Sequence, residues 1–169
     1  MPAGPVKPAG IFSLSALDMC RANRIFALTR RMKKMKDRFY AGTYTVRVGD
    51  INYGGHMGND RALLLFHDAR LDFLAQLGFS ESDIGGPGVI MSEAHVYFKK
   101  EVFRGDSLEV YVHVADITEV AFVMHYSVLC RGAEVLRGNT RLIAFDYENR
   151  KVVKIPPAFL KKISDRLSL

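Results

Sequence analysis

The chain has 169 residues, of which 49% are hydrophobic and 25% charged, proportions typical of one globular domain with a core. The formal net charge is +6 at pH 7, but nine of the 24 bases and only two of the 18 acids lie in residues 1–38, which leaves 15 bases against 16 acids elsewhere. The overall basicity therefore gives no support to a nucleic-acid partner. Since no run approaches roughly 18 apolar residues, no membrane-spanning helix is predicted.

Residues 1–38 are predicted to be a basic N-terminal extension that precedes a domain over 39–169. The extension is disordered, helical, or the product of a misassigned start, with Met32 or Met35 as the true first residue. Its apolar stretch is too short, and lies on the wrong side of the basic cluster, for a secretory signal, while its many arginines and few acids weakly resemble an organellar transit peptide. The chain has only two cysteines, which favours a reducing, cytoplasmic location over a disulfide framework.

The first predicted elements are a strand over 43–48, where β-branched and aromatic residues alternate, and a glycine-rich loop over 49–59. From Asp60 the apolar residues follow a helical period for about 17 residues, and Gly78 is a natural stop. Asn59 or Asp60 is expected to cap the helix. Because apolar residues cover so much of this helix, we expect it to be buried and central.

Four further strands are predicted after the helix, from alternating apolar positions and the short turns between them. The turns over 103–106 and 131–134 each predict a hairpin between the two strands that they join. Consecutive hairpins imply an antiparallel sheet, and a single apolar helix must then lie across one face of it. The strands cover 89–101, 107–117, 121–130 and 135–147, and an amphipathic segment follows at 158–167.

The segment Gly55-His-Met-Gly-Asn59, followed without a gap by Phe66-His-Asp-Ala-Arg70, resembles a pattern of hotdog thioesterases. In that family a loop Asp-x-x-Gly-His-Val-Asn-Asn leads into a helix with Glu-x-Ala-Arg. The strand and Gly-Asp turn over 96–108 resemble the same family, and the likeness covers residues 40–160. The resemblance implies an α+β hotdog fold, with an antiparallel sheet of about five strands wrapped around one long central helix, and hydrolysis of acyl-CoA or acyl-carrier thioesters.

Two positions depart from the family pattern. In an ungapped comparison the loop aspartate falls at Asn52, and the helix glutamate falls at His67 with Asp68 beside it. The order Asp50-x-Asn52 before His56 also resembles acyl-ACP thioesterases, with two more residues before the histidine. Both registrations stay open, and so does the identity of the catalytic carboxylate.

Thioester hydrolysis needs a donor for the carbonyl oxygen, a carboxylate that attacks or activates water, and a polar side chain that holds either one. Backbone N–H groups at the helix N-terminus are the expected donors, since small glycines there allow close approach. The predicted catalytic residues are Asp50, Asn52, His56, Asn59 and Asp68. The predicted substrate-binding residues are Gly55, Met57, Gly58, His67, Lys99 and Lys100, with the lysines near the phosphates of coenzyme A.

Several candidates also fit a structural role. Asp60 fits a helix cap, and Asp68 with Arg70 fits a polar stripe or an inter-subunit ion pair. His67 fits a hydrogen-bonded packing residue, whereas His56 lies in a glycine-rich loop where packing gives little reason for an imidazole. The remaining histidines lie singly on strands without ligand spacing, so neither a metal nor another cofactor is predicted. These are His95, His113 and His125.

An open edge strand is a hazard unless it is paired or covered, and resembling proteins form dimers that often pair into tetramers. At least a homodimer is therefore predicted. Two rival functions stay open, an enoyl-thioester hydratase and a non-catalytic acyl-CoA-binding protein. The hydratase pattern Asp-x-Asn-Pro-x-His matches Asp50 and Asn52, but Tyr53 replaces the proline, the histidine is one residue late, and the helix motif favours the thioesterase. The missing aspartate at Asn52 keeps the binder open. Fold alone does not decide among the three.

Overall fold

A computed structural model of the chain describes residues 38–167 as an antiparallel sheet, a long helix against it and a C-terminal helix. Except for Arg38, the predicted extension over 1–38 lies outside the described residues, as does Cys20. The helices are α1 (Asn59–Gln76) and α2 (Pro157–Leu167), and a 3-10 turn covers Val48–Asp50. The strands are β1 (Phe39–Thr45), β2 (Gly88–Phe98), β3 (Ser107–Ala115), β4 (Ala121–Cys130), β5 (Ala133–Asp146) and β6 (Lys151–Val152).

The sheet order is β1-β3-β4-β5-β2, with every pairing antiparallel and the short β6 added to β5. The predicted hairpin between β4 and β5 is confirmed. The predicted hairpin between β2 and β3 is wrong, because β2 pairs with β5 at one edge of the sheet and β3 pairs with β1 near the other. The strand order therefore requires residues 99–106 to cross the end of the sheet, and we call them the crossing segment.

Backbone hydrogen bonds fix the crossing segment at three points. Lys99 N–H donates to the Val135 carbonyl at the start of β5, 2.9 Å away, and the Val102 carbonyl accepts from Met57 N–H at 2.8 Å. Gly105 N–H donates to the Val46 carbonyl beyond β1, 2.9 Å away. The segment therefore joins β5, the loop before α1 and the end of β1.

Helix α1 begins one residue earlier than predicted and has a different cap. The N-cap is Gly58, which offers no side-chain hydrogen bond, so the predicted cap by Asn59 or Asp60 is wrong. Asp60 instead pairs with Arg61, its neighbour, at 3.2 Å. The predicted stop at Gly78 is confirmed, since its φ is +83° and the Gly78 and Phe79 N–H groups bond back to the last turn as a Schellman motif requires.

Helix α1 packs on the sheet along one face only. Phe66 stacks on Tyr126 of β4 with ring centroids 4.3 Å apart, and Phe73 meets Phe39 of β1 edge-on. Three leucines elsewhere on the helix are 40–50% exposed, so the expectation of a buried, central helix is met on only part of its surface within the described residues. These are Leu63, Leu64 and Leu71.

The predicted amphipathic segment at the C-terminus is confirmed as α2. Phe159 and Ile163 are fully buried, and the Phe159 ring packs against Phe79 and Phe122. Within residues 38–167, no helix is both long enough and apolar enough to cross a membrane.

Candidate functional site

A pocket of about 610 Å³ opens where the loop before α1 meets the crossing segment. One wall is the loop and first residue of α1, and the other is the end of β2, the crossing segment and the start of β5. It brings together six of the residues predicted for the site, which come from two distant parts of the sequence. These are Asn52, His56, Met57, Asn59, Lys99 and Lys100.

The loop wall is a tight turn closed by its own backbone. Asn52 N–H donates to the His56 carbonyl at 2.9 Å, and Gly55 N–H donates to the Asn52 carbonyl at 3.0 Å. Gly55 has a φ of +80°, a conformation that favours glycine. The Asn52 side-chain oxygen accepts from Gly54 N–H at 2.8 Å. The amide at the family's aspartate position therefore stabilises the turn that carries His56.

The half-buried His56 imidazole has a defined tautomer in this geometry. Its Nδ1 lies 3.2 Å from the Met57 carbonyl oxygen, which can only accept, so Nδ1 carries the proton. The Nε2 atom then has a lone pair, because a neutral imidazole holds one proton. His56 thus offers a hydrogen-bond acceptor, and a base, on the pocket wall.

The N-terminus of α1 reaches the same pocket through Asn59. Two N–H groups of the first turn already have acceptors, since Asp60 N–H donates to the Asn59 side-chain oxygen and Arg61 N–H to the Gly58 carbonyl, each at 3.1 Å. The helix dipole still makes this end partly positive, and the Asn59 N–H is the first donor of the helix. Gly58 is buried and its own N–H donates to the Asp50 carbonyl at 2.8 Å, so it anchors the helix start. This end of the pocket suits an oxygen that carries negative charge.

Asp50 does not line this pocket. It is 8% exposed, and its Oδ2 accepts from the Tyr44 hydroxyl at 2.8 Å and from Arg47 N–H at 2.7 Å. Burial and this hydrogen bond to Asp50 together raise the pKa of Tyr44 to about 12. The described contacts of Asp50 are those of a buried group that fixes the 3-10 turn and the helix start.

Asp68 and His67 lie further along α1 and away from the pocket lining. Asp68 faces a separate recess of about 170 Å³ between α1 and β1, which Asp72 also lines. His67 Nε2 lies 2.7 Å from a carboxylate oxygen of Glu81, whose other oxygen accepts from the buried Arg70. This arrangement fits the structural interpretation of His67 as a hydrogen-bonded packing residue.

The lysine wall contains one residue that the sequence reasoning missed. Lys99 pairs with Glu134 at 2.5 Å, whereas Lys100 is exposed. Burial raises the pKa of Glu134, but hydrogen bonds from Lys99 and Ser127 outweigh it and leave that pKa below its usual range. Glu101 follows the two lysines and is the only carboxylate among the described residues that line the pocket. No local pattern marks it, because it reaches the pocket through a contact between distant parts of the sequence.

The described residues contain no group of three His, Cys, Asp or Glu side chains arranged to hold a metal ion. The three strand histidines lie on the sheet, where His113 and His125 face each other across β3 and β4 and His95 pairs with Asn139.

Comparisons with known proteins give a consistent result. The model of the thioesterase-like superfamily matches residues 46–163. A curated Aquifex aeolicus (strain VF5) protein with the provisional name of an esterase is 29% identical over 102 residues, 59% of this chain and 78% of its own. The L-carnitine dehydrogenase/betainyl-CoA thioesterase of Agrobacterium fabrum (strain C58 / ATCC 33970) is 23% identical over 181 aligned residues, 92% of this chain and only 37% of that longer protein.

A solved structure, the 1,4-dihydroxy-2-naphthoyl-CoA thioesterase from Synechocystis, superposes with a TM-score of 0.68 at 19% identity. The superposition covers 75% of this chain and 96% of that chain. It confirms the predicted fold, an antiparallel sheet with a long helix against it, and carries no information on substrate at this level of identity.

Proposed function

The chain belongs to the thioesterase-like superfamily, and on that premise we propose that it hydrolyses acyl-CoA thioesters to a free acid and coenzyme A. The observation that carries the proposal is the pocket at the start of α1, where backbone donors, an imidazole, two lysines and an apolar wall meet. The names of the Agrobacterium relative and the Synechocystis structure both include a CoA thioesterase, which supports coenzyme A as the thiol.

The thioester carbonyl oxygen is assigned to the N-terminus of α1. This oxygen gains negative charge as water attacks, and preorganised N–H groups stabilise that charge more than the ground state. Asn59 begins the helix and lines the pocket, so its backbone N–H is the donor assigned to the carbonyl oxygen of a bound substrate.

His56 is assigned to the attacking water. With Nδ1 held by the Met57 carbonyl, Nε2 accepts a hydrogen bond from water and fixes its position. The Asn52 side chain supports this role indirectly, because it holds the turn from which His56 projects. The predicted catalytic roles of Asp50 and Asp68 remain predictions, although neither lines this pocket.

The other walls match the two ends of an acyl-CoA. Four apolar residues line the wall opposite the loop, and an acyl group that leaves water for this wall gains hydrophobic stabilisation. Lys100 is exposed and free of the Lys99–Glu134 pair, so it is the better of the two lysines for a phosphate group. The apolar residues are Phe98, Val102, Val135 and Leu136.

The proposed assembly is at least a homodimer, joined through β2. This strand has 11 residues and hydrogen-bonds on one side only, to β5, within the described sheet. Long open edges invite pairing with another chain. Met91, Tyr97 and Phe98 are 48–56% exposed along the same strand, and a partner that covers it also buries these side chains. A further pairing of dimers into a tetramer belongs to the same proposal.

The proposed location is the cytoplasm. Cys130 is a free and buried cysteine, which a reducing compartment keeps in that state. Coenzyme A thioesters are the substrate class proposed above, so enzyme and substrate share this compartment in the proposal.

The test is thiol release from short, long and aromatic acyl-CoAs by the full chain and by His56→Ala, measured with a thiol reagent. We expect His56→Ala to lower kcat/KM about 100-fold, since a positioned base contributes on this order. His125→Ala, a half-exposed histidine on β4 away from the pocket, is the matched control and should retain activity. Equal activity of the two variants would show that the reaction does not depend on His56.

A further inference from the structure

We propose that Glu101 is the carboxylate that takes a proton from the attacking water, a role that rests on the proposed hydrolase function. The carboxylates predicted from the sequence are engaged or distant. Asp50 is buried with its Oδ2 bonded to Tyr44 and Arg47, and Asp68 faces a different recess. Glu101 is exposed and lines the pocket itself.

A backbone hydrogen bond brings Glu101 next to His56. Met57 N–H donates to the Val102 carbonyl at 2.8 Å, which ties the loop before α1 to the crossing segment. His56 and Glu101 each lie one residue before a partner of that bond, and both residues line the same pocket. The bond therefore holds the backbone of the loop beside that of the crossing segment, so the two residues belong to the two walls of one pocket.

The His56 imidazole and the Glu101 carboxylate can each accept a hydrogen bond from the same water molecule. One O–H donates to His56 Nε2 and the other to a Glu101 oxygen, which leaves an oxygen lone pair directed at the thioester carbon. As the C–O bond forms, Glu101 takes the second proton and the carbonyl oxygen becomes negative near the start of α1. The carbonyl then re-forms, the C–S bond breaks with its electron pair on sulfur, and the thiolate accepts the proton from Glu101. The products are a carboxylic acid and a thiol, and the carboxylate is regenerated.

The surrounding charges leave this carboxylate available. Lys99 forms an ion pair with Glu134 at 2.5 Å, and Glu134 also accepts a hydrogen bond from Ser127. The charge of Lys99 is therefore already paired with a carboxylate other than Glu101. Lys100 is exposed and free to reach phosphate groups. A short crossing segment thus carries both the proposed anion-binding lysine and the proposed base.

The test compares the full chain with Glu101→Gln and with Glu148→Gln, an isosteric change at an exposed glutamate in the β5–β6 turn. We expect Glu101→Gln to lower kcat about 100-fold or more with KM changed less than about threefold. Glu148→Gln should retain the wild-type kcat and KM. Because a folding defect would also lower activity, Glu101→Ala is assayed with added formate, which should restore part of the rate at the vacant position.

The outcomes separate the two proposals. Thiol release by the wild type with an unchanged kcat for Glu101→Gln would overturn the role of Glu101 and leave the hydrolase function standing. A loss of activity in both glutamine variants, or a loss in Glu101→Ala that formate does not restore, would also overturn it. A wild type that releases thiol from no acyl-CoA would overturn the hydrolase function and the role of Glu101 with it.

Discussion

At the scale of single residues, Asp50 links the strand, the 3-10 turn and the start of α1. Its carboxylate accepts from Tyr44 and Arg47, and its carbonyl accepts from Gly58 N–H. Asp50→Asn should lower the free energy of unfolding by about 1–3 kcal/mol, because a weaker amide oxygen replaces the carboxylate as acceptor and the added NH2 group is buried. Urea unfolding measures this change, with Tyr44→Phe, which removes only one donor, as the milder comparison.

The same variant separates a structural from a catalytic Asp50. If its role is to hold the turn, Asp50→Asn should keep a substantial share of the wild-type kcat at a temperature where it is folded. A kcat that collapses while the unfolding midpoint stays at the wild-type value would instead support the predicted catalytic role.

The sequence predicted some members of the pocket and not others, for a physical reason. His56, Met57 and Asn59 lie in one glycine-rich turn before a helix, and local turn chemistry is readable from residue types. Glu101 enters the pocket only because Val102 bonds to Met57 across 45 residues of sequence. Such long-range contacts leave no periodic signal, so this carboxylate could not be found from the pattern alone.

At the scale of elements, the approach of α1 to the sheet depends on Gly138 in β5. A Cβ atom there would lie 2.3 Å from the His95 carbonyl oxygen and 2.4 Å from the Phe66 ring. Gly138→Ala should therefore destabilise the fold by about 1–3 kcal/mol or more, since either the β2–β5 pairing or the helix must shift.

Gly49→Ala is the matched control for this change. An added Cβ at Gly49 meets nothing within 4 Å. It should leave stability unchanged or raise it by about 0.4–1 kcal/mol through a less flexible unfolded chain. Thermal unfolding of both variants is the measurement, and equal midpoints would contradict the tight contact at Gly138.

The crossing segment shows where element prediction from sequence fails. Strand periodicity located β2 to β5, because alternation is a local property. The Gly-Asp turn after Phe103 suggested a hairpin, yet Gly105 bonds to Val46 and Lys99 bonds to Val135, so the chain crosses the sheet end instead. Pairing partners depend on which edges bury the most apolar surface, and a turn motif does not encode that choice.

At the scale of the whole molecule, the open β2 edge leads to a prediction about assembly. Met91 is 48% exposed on this strand, and Met91→Lys should weaken the proposed dimer at least about tenfold, since a charge placed in an apolar interface must be desolvated. Mass measurement in solution over a micromolar dilution series reads out the dissociation.

Ile117→Lys supplies the control, since Ile117 is 40% exposed in the β3–β4 connection and away from β2. This variant should associate as the wild type does. A wild type that is already monomeric at micromolar concentration, or a Met91→Lys variant with unaltered association, would contradict dimerisation through β2.

The central claim is hydrolysis, and the products formed from one enoyl-CoA test it most directly. Incubation of the full chain with a short enoyl-CoA, followed by mass spectrometry, distinguishes three outcomes by mass. We predict free enoic acid and free coenzyme A, because water attacks the carbonyl carbon held near the start of α1. A 3-hydroxyacyl-CoA with the thioester intact would contradict it in favour of a hydratase, and unchanged substrate that stays bound would contradict it in favour of a non-catalytic binder.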